Sequence, residues 1–232
     1  MENQNNSLTD TLGRSLQDLR ISVTDRCNFR CTYCMPKELF GWDHPFLQQD
    51  ALLSFAEIER LARIFAAYGV RKIRLTGGEP LLRNKLEQLI ESPASIPGIE
   101  DIALTSNGSL ITPAKAKALR DAGLNRITIS LDSLDETTFQ AINDVGFPVA
   151  NVLEGIDNAA KAGLAPVKVN MVVKRGVNDG SILPMARQFR GTEQIPRFIE
   201  YMDVGSSNGW RMDDVVSAAQ IRDTIQSEFP IE

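Results

Sequence analysis

Cys27, Cys31 and Cys34 are spaced C-x3-C-x2-C within Cys27-Asn28-Phe29-Arg30-Cys31-Thr32-Tyr33-Cys34, and the 232-residue sequence has no other cysteine. Three thiolates in one loop can take three corners of a cubane iron–sulfur cluster and leave the fourth iron without a protein ligand. An iron with an open position can bind a substrate or cofactor, whereas a fully ligated cluster mainly stores or passes an electron. The competing reading is a structural zinc site, which wants four protein ligands. The only histidine, His44, lies well beyond the loop. Tyr33, just before the last cysteine, is either a packing aromatic or a cover over a cluster-bound ligand. An odd number of clustered thiols fits metal binding in a reducing compartment better than a disulfide framework.

Two further groups of residues could do chemistry. In Gly77-Gly78-Glu79-Pro80 the glycines allow backbone to approach a ligand closely, and the Glu79 carboxylate can accept hydrogen bonds from an ammonium group; the plain alternative is a turn. Arg20, Arg74 and Lys168 are cations in a chain of net charge −5. Guanidinium groups suit bidentate phosphate binding, although such cations could instead pair with carboxylates.

These residues need a frame, and the sequence supplies one. Strands are expected over Leu19–Asp25, Lys72–Gly78, Asp101–Asn107, Arg126–Asp132, Val167–Val173 and Arg197–Val204. Between them the pattern turns helical. A helix runs from a capping box at Ser54 and Glu57 to a stop at Gly69; others cover Leu81–Glu91, Pro113–Asp121 behind Thr112, a stretch from Glu136, Val149–Ala162, Ile182–Phe189 and Val216–Phe229. Six β-α units in alternation imply a parallel sheet. Five consecutive strands alternate polar and apolar residues, unlike parallel strands covered on both faces. Arg20, Ser22 and Thr24 oppose Ile21 and Val23; Lys72, Arg74 and Thr76 oppose Ile73 and Leu75; Thr105, Ser130 and Asp132, Lys168 and Asn170 hold matching places on the next three strands. The fold class is therefore α/β, a partial (β/α)6 TIM-like barrel with a polar lumen, set against an open sheet with one solvated face. Ser130, Asp132 and Asn170 either solvate that lumen or bind a ligand in it.

Composition excludes several classes. Apolar content of 43% and charged content of 24% are ordinary for a globular domain. No apolar run approaches the roughly 20 residues that span a bilayer, and the polar first residues do not read as a signal peptide, so no membrane partner and a cytoplasmic location are expected. A pI near 5.1 gives no field for nucleic acid. Residues 1–10 are expected to be a disordered segment before a single domain over 11–232.

C-x3-C-x-aromatic-C after a first strand resembles the signature of the radical S-adenosylmethionine (SAM) superfamily. Leu12-Gly13-Arg14, the stretch from Asp18 to Cys31, Tyr33-Cys34-Met35-Pro36, Ile73 to Leu81, Thr105-Ser106-Asn107-Gly108, Ser130-Leu131-Asp132, Lys168-Val169-Asn170 and Arg197-Phe198-Ile199-Glu200-Tyr201-Met202 are together similar to the GTP 3′,8-cyclase family within it. The resemblance runs from about Thr11 to the end. It implies a [4Fe-4S] cluster on Cys27, Cys31 and Cys34 and S-adenosyl-L-methionine as cofactor, contacted by Tyr33, Gly77, Gly78, Glu79, Ser130, Asn170 and Met202. It further implies GTP as substrate, held by Arg20, Arg74, Thr105 and Lys168, with Arg20 and Arg74 counted with the cysteines as the catalytic set. The implied reaction is that of a lyase in molybdenum cofactor biosynthesis: a 5′-deoxyadenosyl radical removes the ribose 3′ hydrogen, and the carbon radical attacks C8 of guanine. Implied partners are a reductant protein, a second copy in a homodimer and a downstream cyclic pyranopterin synthase.

The sequence departs from that family at its end. The family carries a second cysteine triad and a Gly-Gly tail, and neither follows Cys34 here. The expectation is a shortened chain, without the C-terminal cluster domain, that binds the first cluster and S-adenosylmethionine but cyclises GTP poorly. A radical enzyme acting on another substrate, or a non-catalytic nucleotide-binding module, are the alternative functions.

Overall fold

The computed structural model describes residues 8–41, 43–205 and 208–230. Most of the segment expected to be disordered, residues 1–7, lies outside them. Leu8–Asp10 turn back, with Thr9 bridged to Ser15.

Six strands form one parallel sheet in sequence order: β1 (Asp18–Ser22), β2 (Lys72–Thr76), β3 (Asp101–Ser106), β4 (Arg126–Ser130), β5 (Lys168–Val173) and β6 (Ile195–Glu200). Every neighbouring pair is parallel, and β1 and β6 are the two edges of an unclosed sheet. Among the described residues seven α-helices link and flank them: α1 (Phe55–Ala67), α2 (Leu86–Ala94), α3 (Pro113–Asp121), α4 (Glu136–Asn143), α5 (Val149–Lys161), α6 (Ile182–Phe189) and α7 (Ala218–Gln226). Local chemistry starts them where expected. The Ser54–Glu57 capping box is complete on α1, Thr112 caps α3 ahead of Pro113, and Ser217 and Gln220 form a second capping box on α7.

The alternation read in the strands holds. Ile73, Leu75, Leu104, Ile127, Ile129, Val169 and Met171 are fully or almost fully buried and share one core with α1, α2, α3, α5 and α6. The opposite face carries the polar residues. Register aligns them in rows across the sheet: Asp18, Lys72 and Asp101 at the bottom, Arg20 beside Arg74 above, then Thr105, Thr128 and Lys168, and at the top Ser130, Asn170 and Arg197.

Several boundaries differ from expectation: β2 and β4 each end two residues early, at Thr76 and Ser130, α7 is shorter at both ends, and three further differences bear on the site. β1 ends at Ser22, because beyond it the chain pairs with β2 through one bond, Val23 N–H to Thr76 O at 2.8 Å, and then serves the cysteine loop. The helix expected from Leu81 begins at Leu86. Pro80–Leu82 is a 3₁₀ turn instead, and Lys85 sits in the left-handed region at φ 59° just before the helix. The sixth strand lies at Ile195–Glu200 rather than Arg197–Val204, drawn back by its six-residue ladder to β5.

Candidate active site

The cysteine loop leaves the C-terminal end of β1 and is fastened from three sides. Phe29 is buried and packs its ring 5.2 Å from that of Phe147 and 6.4 Å from that of Phe139. Arg30 N–H and Thr32 N–H donate to the carbonyls of Asn143 and Ile142 at the end of α4, each at 3.0 Å. The Arg30 guanidinium donates to Cys27 O, Phe29 O and Phe40 O at 2.6 to 2.9 Å. It thereby ties the loop both to itself and to the segment that follows.

The Gly77–Gly78 turn supplies the second fastening, and here the structure changes the reading. The glycines approach protein backbone. A Cβ on Gly78 would fall 2.3 Å from Arg26 O, and one on Gly77, at φ 153°, would fall 2.4 Å from Thr24 O. That closeness permits Gly78 N–H to Thr24 O at 2.8 Å and Glu79 N–H to Arg26 O at 2.7 Å. Glu79 is fully buried, and its carboxylate does not face the opening as the sequence reading had it. Oε1 accepts from Ser106 Oγ at 2.9 Å and Leu81 N–H at 3.0 Å, and Oε2 from Asn107 N–H at 2.7 Å. Burial raises its pKa, against the lowering effect of those three donors. Glu79 is thus the brace that joins the turn to the end of β3.

Asp132, on the fourth-strand side, makes the third fastening. It is 3% exposed; Oδ2 accepts from the Tyr33 hydroxyl at 2.8 Å and Oδ1 from Val172 N–H at 2.9 Å. Burial lifts its pKa to about 6 despite those donors, and pushes the Tyr33 phenol well above its usual value. The Tyr33 ring is therefore held at the β4–β5 end of the sheet.

Within this frame the three thiols, with Gly77, Gly78, Thr24 and Asp25, line one opening of about 210 Å³. None of the thiols is in a disulfide. Burial, helped by Asp132 at Cys31 and Cys34, raises all three thiol pKa values, Cys31 well above its usual value. A nucleophilic cysteine needs the opposite, a cationic setting that favours thiolate; a metal deprotonates a coordinating thiol outright. Among the described residues no three His, Cys, Asp or Glu side chains gather tightly enough to grip a single metal ion. The sulfurs border an opening, the arrangement a cluster with separated corners requires. Asp25 Oδ1 is buried there without a hydrogen-bond partner, while Oδ2 accepts from Leu47 N–H at 2.7 Å. His44 supplies no fourth ligand: it is packed between Phe40 and Phe46, ring centroids 4.7 and 4.6 Å away, with Nδ1 3.0 Å from Leu39 O. The residues present fit a site-differentiated cluster and do not fit zinc.

The lumen is basic in its middle and upper rows. At the bottom, Lys72 pairs with Asp18 at 3.3 Å and Asp101 at 3.9 Å, and Arg126, one row up in register with Ala103, also pairs with Asp101. Above them Arg20, Arg74, Lys168 and Arg197 have no carboxylate partner among the described residues; Arg20 reaches only Thr76 Oγ1 at 3.4 Å, and Arg197 donates to Asn170 Oδ1 at 2.9 Å. Burial, then Arg126, Arg197, Lys72 and Arg74, lower the Lys168 pKa, and burial with Arg74 and Arg126 lowers that of Arg197. So the alternative that Arg20, Arg74 and Lys168 pair with carboxylates fails among the described residues; the lumen cations that do pair are Lys72 and Arg126. Thr105 and Lys168 flank Thr128 in one row, and Ser130 and Asn170 pair in the next. Met202 follows β6, is 53% exposed and does not line the opening.

Sequence reasoning overlooked Asn28, Asn107 and Ser109 beside the thiols, and Arg126 and Arg197 in the lumen. Arg126 shares strand parity with Thr128 and Ser130, which was signal enough. The fold and the triad together define an open parallel α/β barrel with a cluster-binding loop on its first strand. The family model of the Radical SAM superfamily matches residues 21–189, and the chain belongs to that superfamily. GTP 3′,8-cyclase of Acidothermus cellulolyticus is 56% identical over 225 residues, 97% of this chain and 62% of that protein. The enzyme of the same name from Staphylococcus carnosus is 53% identical over 97% of this chain and 66% of its own length. The chain thus spans a little under two thirds of the curated relatives it matches. Among solved structures, methylornithine synthase (PylB) superposes at TM-score 0.68 with 16% identity, covering 92% of this chain and 62% of the other. Native anSMEcpe with bound AdoMet also gives 0.68 at 16% identity, over 91% of this chain and 60% of that one. At such identities these two show the shared fold.

Proposed function

We propose that this chain is the radical-generating core of a GTP 3′,8-cyclase. The observation that carries the reading is the pairing of an open thiol triad at the mouth with four cations below it that no carboxylate among the described residues neutralises. The two GTP 3′,8-cyclase relatives, more than half identical over nearly the whole chain, support it. Cys27, Cys31 and Cys34 hold a [4Fe-4S] cluster, and Gly77, Gly78, Tyr33, Ser130 and Asn170 contact S-adenosyl-L-methionine. When bound, cluster and cofactor supply a 5′-deoxyadenosyl radical after one-electron reduction by a reductant protein. Glu79 acts behind Gly77 and Gly78, setting the turn whose backbone meets the cofactor.

The chain's own task is to place GTP beneath that mouth. Arg20 and Arg74 are register partners and can share one phosphate, while Lys168 and Thr105 reach the chain of phosphates from the next row up. A polyphosphate drawn among unneutralised cations gains more than one meeting pre-formed ion pairs, since no partner must be displaced. The paired bottom row gives it a natural stop. The same reading takes residues 11–232 as one domain working in the cytoplasm, as a homodimer whose product passes to a cyclic pyranopterin synthase. No helix among the described residues is long and apolar enough to cross a membrane.

GTP deuterated at the ribose 3′ position is the test. Incubated anaerobically with the reconstituted chain, S-adenosylmethionine and reductant, it should transfer deuterium into 5′-deoxyadenosine. Formation of 5′-deoxyadenosine with no deuterium from GTP would reject the substrate, and no 5′-deoxyadenosine at all would reject the enzyme. Analysis of the same mixture for cyclised nucleotide follows the second half of the reaction.

A further inference from the structure

Asn107, just past the end of β3, lies against the first cysteine. Its Nδ2 is 3.9 Å from Cys27 Sγ and 2.8 Å from Asn28 Oδ1, so its two N–H bonds have one acceptor each. The amide can adopt only this orientation. Oδ1 accepts from the backbone N–H of Ser109 at 3.0 Å and from Ser109 Oγ at 2.6 Å. A backbone N–H can only donate, so a turned amide would set donor against donor. The ring closes in one sense: Asn28 Nδ2 donates to Ser109 Oγ at 2.8 Å, and Ser109 Oγ passes its own hydrogen to Asn107. Asn107 N–H is anchored in turn on the buried Glu79 carboxylate. Three segments far apart in sequence thus converge to aim one amide at one sulfur.

We infer that Asn107 is a positioning residue for the iron–sulfur cluster, whose side-chain N–H donates to the Cys27 thiolate and raises the reduction potential of the bound cluster. The inference rests on the reading of the cysteine triad as a cluster site. Reduction adds negative charge to the cluster and its thiolates, and a donor to sulfur stabilises that charge. Phe29 N–H, 3.4 Å from the same sulfur, adds a second donor. Cys27 is therefore the triad's hydrogen-bonded corner.

The sign separates this role from a structural one. Removing a donor to sulfur lowers the potential, whereas admitting water by opening space tends to raise it. Asn107→Leu keeps the backbone bond to Glu79 and the side-chain bulk but has no donor; Asn107→Ala also opens space; Ser109→Ala keeps Asn107 but loosens its aim. Each chain is reconstituted anaerobically, its iron and sulfide are counted, and its midpoint potential is measured by a redox titration followed by electron paramagnetic resonance. The Leu variant should shift to a more negative potential at full iron content, the Ala variant in the same direction by less, and Ser109→Ala by least. An unchanged or more positive potential in the iron-replete Leu variant overturns the inference. Should the Asn107 variants fail to keep the cluster, a Ser109→Ala potential equal to that of the unaltered chain overturns it. A chain without any substitution that takes up no iron and sulfide would instead overturn the cluster reading.

Discussion

The rim of the barrel and its lumen are built on opposite principles. At the rim nearly every polar group is already satisfied by protein: Glu79 has three donors, Asp132 two, and the Arg30 guanidinium three carbonyls. Backbone there is so close that only glycine fits at 77 and 78. In the middle and upper lumen four cations sit without carboxylate partners among the described residues, raising one another's cost. On the function proposed above, a loop that holds a cluster is completed by the fold, and a cavity that takes up a polyanion is left incomplete until the anion arrives. Stability therefore resides at the rim and affinity in the lumen.

Substitutions can test that division, beginning with the most damaging. Gly78→Ala puts a methyl against the Arg26 carbonyl, where no side chain can yield. It should cost about 3 kcal/mol or more, at the upper end of overpacking, and abolish cluster uptake; denaturant unfolding and iron content measure both. Glu79→Ala strands three buried donors and should cost about 3 kcal/mol in the same unfolding assay. Tyr33→Phe leaves one oxygen of Asp132 without its partner and should cost about 1–3 kcal/mol, with weaker retention of the cluster against a chelator. Smallest in stability are Arg74→Ala and Lys168→Ala, expected to stay within about 0.5 kcal/mol yet to weaken GTP binding about tenfold each, as for a charge-assisted hydrogen bond worth about 1.5 kcal/mol. Lumen variants that unfold the chain while rim variants leave it intact would reverse the account.

Asp132 adds a pH dependence of definite sign. Its carboxyl titrates near 6 in the fold against an ordinary value of 3.8. A raised acid favours the folded state while protonated, so its contribution is complete below about pH 4 and is lost as pH rises through 6. The difference of about two pKa units corresponds to about 3 kcal/mol at the limit. Melting of the metal-free chain from pH 4 to 7, compared with Asp132→Asn, should show that loss in the unaltered chain and its absence in the variant. Comparison with the variant also removes the opposite contribution of surface carboxylates such as Glu57, whose pKa is lowered by Ser54.

Much of this could be read from the sequence because it depends on near neighbours. Period-2 alternation at Lys72–Thr76 or Arg126–Ser130 fixes which residues face the lumen, and C-x3-C-x2-C places three sulfurs in one loop whatever the tertiary structure does. The failures involve partners distant in sequence. Glu79 looked available to a ligand because nothing near it shows that Ser106 and Asn107 will use up its carboxylate. Asn107 aims at Cys27 across 80 residues, and Asp132 reaches Tyr33 across 99. The Arg20–Arg74 pairing needs the register of β1 on β2, and Asp101 neutralises Arg126 only once β3 and β4 are aligned. The late start of α2 reflects the sharp left-handed step at Lys85, a residue type that gives no warning of it.

The division between a finished rim and an unfinished lumen is tested most directly by titrating GTP into the chain by calorimetry, beside guanosine and beside the Arg74→Ala/Lys168→Ala double variant. Binding should follow the phosphates: GTP well above guanosine, affinity falling as salt rises, and most of it lost in a double variant that melts where the unaltered chain does. Guanosine binding as tightly as GTP, or a double variant that binds GTP undiminished, would contradict the account.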